Sequence, residues 1–214
     1  PVRSRSIIGT AIYEKGLKAS ENDSHAWFFK SNNNWNQVCN AGMIFGALAT
    51  LERSPEYCKE LIAKCLESNP IAQKSYEPDG AYPEGYGYWD YGTTFNALFI
   101  SALEKAFGSD YGLSQSPGFM KTGEYVLHMV SPNLKNFAYS DNGTNASMSS
   151  GMFWFYEKTK DASILYNQAR LYKKLGKECL LKDRLAPVIL IWGASASLSK
   201  PQTPKQLQWV AQGD

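Results

Sequence analysis

Residues 35–51 read WNQVCNAGMIFGALATL. Apolar side chains would cover nearly every side of a helix formed by this stretch, which is typical of a helix buried inside a protein. Residues 55–74 read PEYCKELIAKCLESNPIAQK and carry one apolar stripe at helical spacing, with charged side chains outside it. The first stretch therefore predicts an inner helix. The second predicts an outer amphipathic helix with Pro55 in its first turn.

The same alternation continues along the chain. Residues 93–107 predict a second inner helix, and Gly108 is placed to cap its end. Three later segments follow the pattern: 117–130 (outer), 146–157 (inner and aromatic) and 161–175 (outer). The inner helices predict four buried side chains: Val38, Phe45, Leu98 and Ile100.

These segments predict the fold class. Alternation of the strand type is not sustained anywhere, so we expect an all-α protein. Inner and outer helices joined by short loops form antiparallel hairpins, and several hairpins in succession predict an incomplete α/α toroid. We expect residues 1–194 to form this toroid domain and residues 195–214 to be a linker.

The composition excludes several classes of protein. Of the 214 residues, 43% are hydrophobic and 20% are charged, so the chain can bury a core. A formal net charge of +2 argues against nucleic-acid binding through bulk charge. The sequence has no apolar run long enough to span a membrane, which disfavours a membrane span. It has no P-loop or GxGxxG motif, which disfavours nucleotide chemistry, and no GxSxG motif, which disfavours serine-hydrolase chemistry.

Cysteine and histidine spacing predicts no metal site. The cysteines form no CxxC pair, and the histidines lack the spacing of metal ligands. These residues are Cys39, Cys58, Cys65, Cys179, His25 and His128. Cys58 and Cys65 lie seven residues apart on one helix face, where we expect small buried side chains.

Two polar and aromatic motifs each come directly before a predicted inner helix. They read SNNNWNQVCNAG (residues 31–42) and PDGAYPEGYGYWDYG (residues 78–92). One asparagine is enough to cap a helix, whereas the first motif offers three in succession. Inner helices of a toroid run parallel, so both motifs are expected on the same rim. Exposed aromatic rings beside amide side chains are typical of sugar-binding clefts, because a ring can stack on the apolar face of a sugar. The alternatives are an ordinary helix cap and a glycine-rich turn with packed tyrosines.

The two motifs, followed by GLSQSPGFMKTGEYVLHM (residues 112–129), resemble the heparinase II/III-like polysaccharide lyase family. The resemblance covers residues 27–166, and LQWVAQGD (residues 207–214) resembles the lead-in to the family's C-terminal β-sandwich. It implies β-elimination on a uronic-acid-containing polysaccharide. A side chain neutralises the C6 carboxylate, a tyrosine serves as base, acid or both, and the C4–O bond breaks. An amide donor would stabilise the charge that develops on the carboxylate.

The resemblance also implies roles for single residues. Asn34 best matches the carboxylate-neutralising position, with Asn33 and Asn36 as alternatives. Tyr88 best matches the catalytic tyrosine, with Tyr91 second. Further residues are expected to contact substrate or shape the rim: Trp35, Asn36, Gln37, Glu84, Trp89 and Tyr91.

The family places a further catalytic histidine, and often a metal, in the β-sandwich. His25 and His128 do not match that histidine. We therefore expect no cofactor in this part and little activity from it alone. The implied partners are an acidic polysaccharide and a β-sandwich domain of the same parent chain. The substrate class implies a periplasmic or extracellular location.

Two other functions remain open at this point. One is a non-catalytic glycan-binding module on the same scaffold. The other is an α/α-ring glycoside hydrolase that uses Glu84 and Asp90 as its two carboxylates. An unsaturated product separates a lyase from a hydrolase.

Overall fold

The computed structural model describes residues 2–22, 24–181 and 183–212. Within these ranges the regular structure is helical without any strand, and two isolated bridges join Val130 to Asn136 and Lys135 to Asn145. The predicted all-α class is thereby confirmed. No helix in the described ranges has both the length and the apolar character needed to cross a membrane.

The α-helices lie between residues 2 and 192 and are joined by 3₁₀ turns and loops. They are α1 (Val2–Thr10), α2 (Asn34–Thr50), α3 (Pro55–Gln73), α4 (Gly85–Phe107), α5 (Thr122–His128), α6 (Ser150–Thr159), α7 (Tyr166–Leu175), α8 (Glu178–Leu181) and α9 (Ile189–Trp192). A π-helical segment, Ala11–Lys18, follows α1 directly. Gly108 has a φ of 72° and its amide bonds to Glu104 O, so α4 ends at the predicted cap.

Two compact units make up the fold. The first consists of Pro1–Lys74 and Phe95–Ser116, and the second of Ser75–Thr94 and Pro117–Asp214. Residues 85–94 of α4 thus belong to the second unit, and the rest of that helix belongs to the first.

The first unit is built on α2 and α3. Ile44 of α2 and Leu61 and Cys65 of α3 are buried in its core. α3 begins at Pro55, as its sequence predicts, because proline at the first helical position gives up no helical hydrogen bond. Cys58 and Cys65 are both buried free thiols, which confirms their expected role as small core side chains.

The second unit packs α5, α6 and the start of α4 around a cluster of aromatic rings. The ring of Phe155 on α6 lies 6.0 Å from that of Trp89 and 5.7 Å from that of Phe119, measured between centroids. All three side chains are fully buried. Trp89 also donates its indole N–H to Thr122 Oγ1 at 2.7 Å, which ties α4 to the start of α5.

The expectation that Val38, Phe45 and Leu98 are buried is wrong. Phe45 is 47% exposed, Val38 and Leu98 are half-buried, and Ile100 alone of the four is buried. For Val38 and Phe45 the reason is that α2 buries one face only. Its opposite face, which carries Val38 and Phe45, lines an open cavity of about 760 Å³.

The predicted start of the second inner helix is also wrong. The structure begins α4 at Gly85 rather than near residue 93. Tyr86, Trp89 and Thr93 are all buried and recur at helical spacing, so this stretch can pack as a helix despite its glycines. Most of the second motif is therefore helical, and only its first part is a loop.

Candidate functional site

The first turn of α4 carries the candidate tyrosine. Tyr88 is 36% exposed, whereas Tyr86 and Trp89 on either side of it are buried. Tyr86 donates its hydroxyl to Ser147 O at 2.8 Å, and the amide of Gly87 donates to Asn142 Oδ1 at 2.8 Å. The turn is thus fixed by its neighbours, and Tyr88 remains open to solvent.

The loop before α4 is held by close backbone approach. Gly80 has a φ of 97°, and a Cβ there would lie 2.5 Å from Thr122 N. The carbonyl of Gly80 accepts a 2.5 Å hydrogen bond from Thr122 Oγ1. Gly85 has a φ of 80°, and a Cβ there would lie 2.8 Å from the Asn142 side chain. Both positions need glycine, and together they set the point at which α4 begins.

Two carboxylates, Asp90 of α4 and Asp183, are bound by serines at the start of α6. Asp90 Oδ1 accepts hydrogen bonds from Ser149 Oγ and, at 3.2 Å, from Thr94 Oγ1. Ser150 Oγ donates to Asp183 Oδ2 at 2.9 Å. Consecutive serines at the start of α6 therefore bind two different aspartates.

The pKa of Asp90 departs from its ordinary value because of this setting. Burial raises it to about 6, and the negative charge of Asp183 adds to the effect, against the hydrogen bonds from Ser149 and Thr94. Burial, together with the charge of Asp90, also raises the pKa of Tyr86. Tyr86 is therefore held in its protonated form and is unsuited to act as a base.

Two further candidates of this motif have other contacts. Glu84 accepts a hydrogen bond from the hydroxyl of Tyr82 at 3.4 Å. The guanidinium carbon of Arg184 lies over the ring of Tyr91, 5.8 Å from the centroid of that ring. Trp89, which was expected to contact substrate or shape the rim, is fully buried in the aromatic core described above and presents no surface to a substrate.

The asparagines of the first motif take different places in the first unit. Asn33 is the N-cap of α2, and its Oδ1 accepts from Trp35 N at 3.1 Å and from Ser31 Oγ at 2.8 Å. Asn34 opens the helix and is only 3% exposed. Trp35 is 47% exposed, and its ring lies 6.0 Å from that of the exposed Trp27. The capping alternative is thus confirmed for Asn33.

Asn36 and Gln37 point into the core of the first unit. Asn36 is fully buried, and its Nδ2 donates to Phe28 O at 3.1 Å and to Ser68 Oγ at 3.0 Å. Asn40 donates to the same Ser68 Oγ at 2.8 Å. Gln37 is 1% exposed. Asn36 and Asn40 thus join α2 to α3, and Asn36 and Gln37, which were expected to contact substrate, are too buried to do so.

The candidate residues accordingly divide between the two units. The amides of 33–37 belong to the first unit, and residues 84–91 belong to the second. The sequence reading missed Asp183, Ser149 and Arg184, which lie far along the chain from residues 84–91 and follow no recognisable spacing. Among the described residues, histidines, cysteines and carboxylates do not gather in threes as they would around a metal ion.

Comparison with known proteins found no relative of this chain. No protein-family model matches the sequence, and no curated protein matches it significantly.

Proposed function

We propose that this chain is the toroid part of a polysaccharide lyase that cleaves uronic-acid-containing polysaccharide by β-elimination. We also propose that its helical hairpins form an arc of an α/α toroid. One observation carries the catalytic part of the proposal. Tyr88 is solvent-accessible on a helical turn whose neighbouring side chains are buried and hydrogen-bonded.

The proposed roles follow from the chemistry of the reaction. The proton on C5 of a uronate becomes acidic when the charge that moves onto the C6 carboxylate is stabilised by a donor. The family resemblance assigns that donor role to Asn34, but its side chain is only 3% exposed and belongs to the first unit, so the proposal rests on Tyr88. Tyr88 accepts the C5 proton and then donates it to the oxygen that leaves C4, because a phenol oxygen can both accept and donate. The C4–O bond then breaks and a C4=C5 double bond remains.

The fixed turn supports Tyr88 over its neighbours as the proton-transfer group. Tyr86 is buried and its pKa is raised, and the ring of Tyr91 contacts Arg184. A general base has to reach the proton it removes. Of the tyrosines in the first two turns of α4, Tyr88 has the greatest exposure.

One observation favours a second candidate, a glycoside hydrolase. A hydrolase needs a carboxylic acid that stays protonated near neutral pH, together with a second carboxylate. The pKa of Asp90, raised to about 6, fits the first of these. Asp183, whose charge contributes to that pKa, is a candidate for the second carboxylate beside Glu84.

The testing experiment is a screen of acidic polysaccharides with the longer protein that the resemblance implies. Each digest is measured twice, for ultraviolet absorbance of an unsaturated uronate and for new reducing ends. The lyase proposal predicts that both signals rise together on at least one substrate. Reducing ends without absorbance would support the hydrolase, and neither signal on any substrate would contradict both.

A further inference from the structure

One side of the first two turns of α4 is open to solvent. Tyr88 is 36% exposed and Tyr91 is half-buried, whereas Trp89 between them is fully buried. The two tyrosines are three positions apart, so their side chains are neighbours on one side of the helix. We call Tyr88 and Tyr91 the open face of α4. Glu84 comes directly before the helix, so along the helix axis it lies beyond Tyr88 from Tyr91.

A guanidinium lies over the second tyrosine of the open face. Arg184 is exposed, and its guanidinium carbon lies 5.8 Å from the centroid of the Tyr91 ring. A ring below it engages the flat side of the guanidinium, whereas the five N–H donors point outward in its plane. Two of these donors match the two oxygens of a carboxylate. The open face therefore combines a solvent-accessible phenol with a cation shaped to bind an acid.

The turn that carries Arg184 is held by hydrogen bonds of its neighbours. Asp183 Oδ2 accepts from Ser150 Oγ at 2.9 Å, and Asp183 Oδ1 accepts from the amide of Leu185 at 2.8 Å. The amide of Ala186 donates to Asp183 O at 3.1 Å. The backbone of Arg184 is thus fixed, and its side chain rests on a ring. A group that is already in place loses less conformational freedom when it binds a ligand.

A second arginine of the same unit is also stacked on a tyrosine but has a structural role. The guanidinium carbon of Arg170 lies 5.3 Å from the centroid of the Tyr166 ring. Its Nη1 donates to Asn167 Oδ1 at 2.9 Å, and its Nη2 donates to Pro132 O. Arg170 thus ties α7 to the loop at Pro132. It is a matched control for Arg184, because it has the same stacked charge and does not belong to the open face of α4.

We propose that Arg184 binds the carboxylate of the uronate held at Tyr88 and so selects acidic over neutral sugars. This inference rests on the lyase function proposed above and places a carboxylate ligand within the second unit. The charge along the helix sets the direction of the sugar, since Glu84 repels a carboxylate at one end and Arg184 attracts it at the other. As Tyr88 accepts the C5 proton, negative charge moves onto the carboxylate, and the guanidinium stabilises it.

Binding of oligosaccharides to the 214-residue chain tests this role of Arg184 without any catalytic step. The probes are hexasaccharides of alginate, hyaluronan and heparosan, each beside its carboxyl-reduced, neutral form, and affinity is measured by titration calorimetry. We expect at least one acidic hexasaccharide to bind more tightly than its neutral form. Arg184→Gln should weaken the binding of that acidic probe roughly tenfold, as expected for the loss of one charged hydrogen-bonding partner.

Three further measurements separate this site from a general effect of charge. Arg184→Gln should bind the neutral form as the wild type does. Arg184→Lys should lose part of the affinity for the acidic probe, because it keeps the charge but not the two-pronged geometry. Arg170→Gln, which removes the same charge elsewhere in the unit, should bind the acidic probe as the wild type does.

Several outcomes would overturn the proposal. They are equal wild-type affinity for the acidic and neutral forms, no binding of any acidic hexasaccharide, unchanged binding by Arg184→Gln, and an equal loss in Arg170→Gln. The lyase function fails separately. Binding that depends on Arg184, without unsaturated product in the polysaccharide screen, would contradict the lyase and leave the acidic-sugar site in place.

Discussion

Replacement of Asp90 by asparagine should stabilise the fold at neutral pH. The folded protein holds the Asp90 proton up to about pH 6, whereas the unfolded chain releases it near the ordinary pKa of 3.8. Between these values the folded state binds more protons, so the free energy of unfolding falls as pH rises. Asparagine keeps an oxygen that can accept from Ser149 and Thr94 and removes the charge.

The magnitude follows from the size of that pKa difference. About two pKa units correspond to about 3 kcal/mol at most. Asp90 is half-buried, and solvent screening reduces this figure, so we expect Asp90→Asn to gain about 1–2 kcal/mol at about pH 7.5. The gain should vanish below about pH 3, where the aspartate of the wild type is protonated in both states.

Urea unfolding at several pH values measures this effect directly. Glu60→Gln is the matched control, because Glu60 is an exposed carboxylate of α3, and it should leave the pH dependence unchanged. A variant Asp90→Asn that is less stable than the wild type at neutral pH would refute the reasoning. So would a gain of equal size at every pH.

Two other substitutions test the placement of the motifs. Asn33→Ala removes the N-cap of α2 and should lower the free energy of unfolding by about 1 kcal/mol in urea titration; no loss would contradict the capping role. Trp89→Phe removes the hydrogen bond to Thr122 Oγ1 and leaves space beside the aromatic core, so we expect a loss of about 2–3 kcal/mol. A Trp89→Phe variant as stable as the wild type would show that the ring is not the anchor of α4.

Local patterns predicted the helices well where one face decides their packing. The single apolar stripe of α3 and the proline at its start predicted where this helix lies and that Cys58 and Cys65 are buried in it. The aromatic run of α6 likewise predicted a buried segment, and Met152, Phe153, Trp154 and Phe155 are buried. The all-round apolar pattern of α2 was less informative. It does not reveal that the face carrying Phe45 borders an open cavity.

The candidate site could be predicted only in part. Sequence separates Tyr88 from Tyr86 by two positions, but only the structure tells which ring is buried. Ser149 donates a hydrogen bond to Asp90, and the next residue, Ser150, donates one to Asp183. These contacts join distant parts of the chain, so the sequence pattern does not reveal them. Glycines at 85, 87 and 92 concealed the helix because glycine is unfavourable in a helix interior, and tertiary packing overrode that preference.

The proposed β-elimination is tested most directly by the initial rate of unsaturated-product formation for Tyr88→Phe and Tyr91→Phe in the longer protein. Phenylalanine keeps the ring and removes the hydroxyl that moves the proton, so Tyr88→Phe should lose about 10²–10⁴-fold in rate while circular dichroism shows an unchanged fold. Tyr91→Phe should keep much of the activity. A folded Tyr88→Phe that turns over like the wild type beside an inactive Tyr91→Phe would contradict the choice of tyrosine. Normal turnover by both would contradict the proposed mechanism.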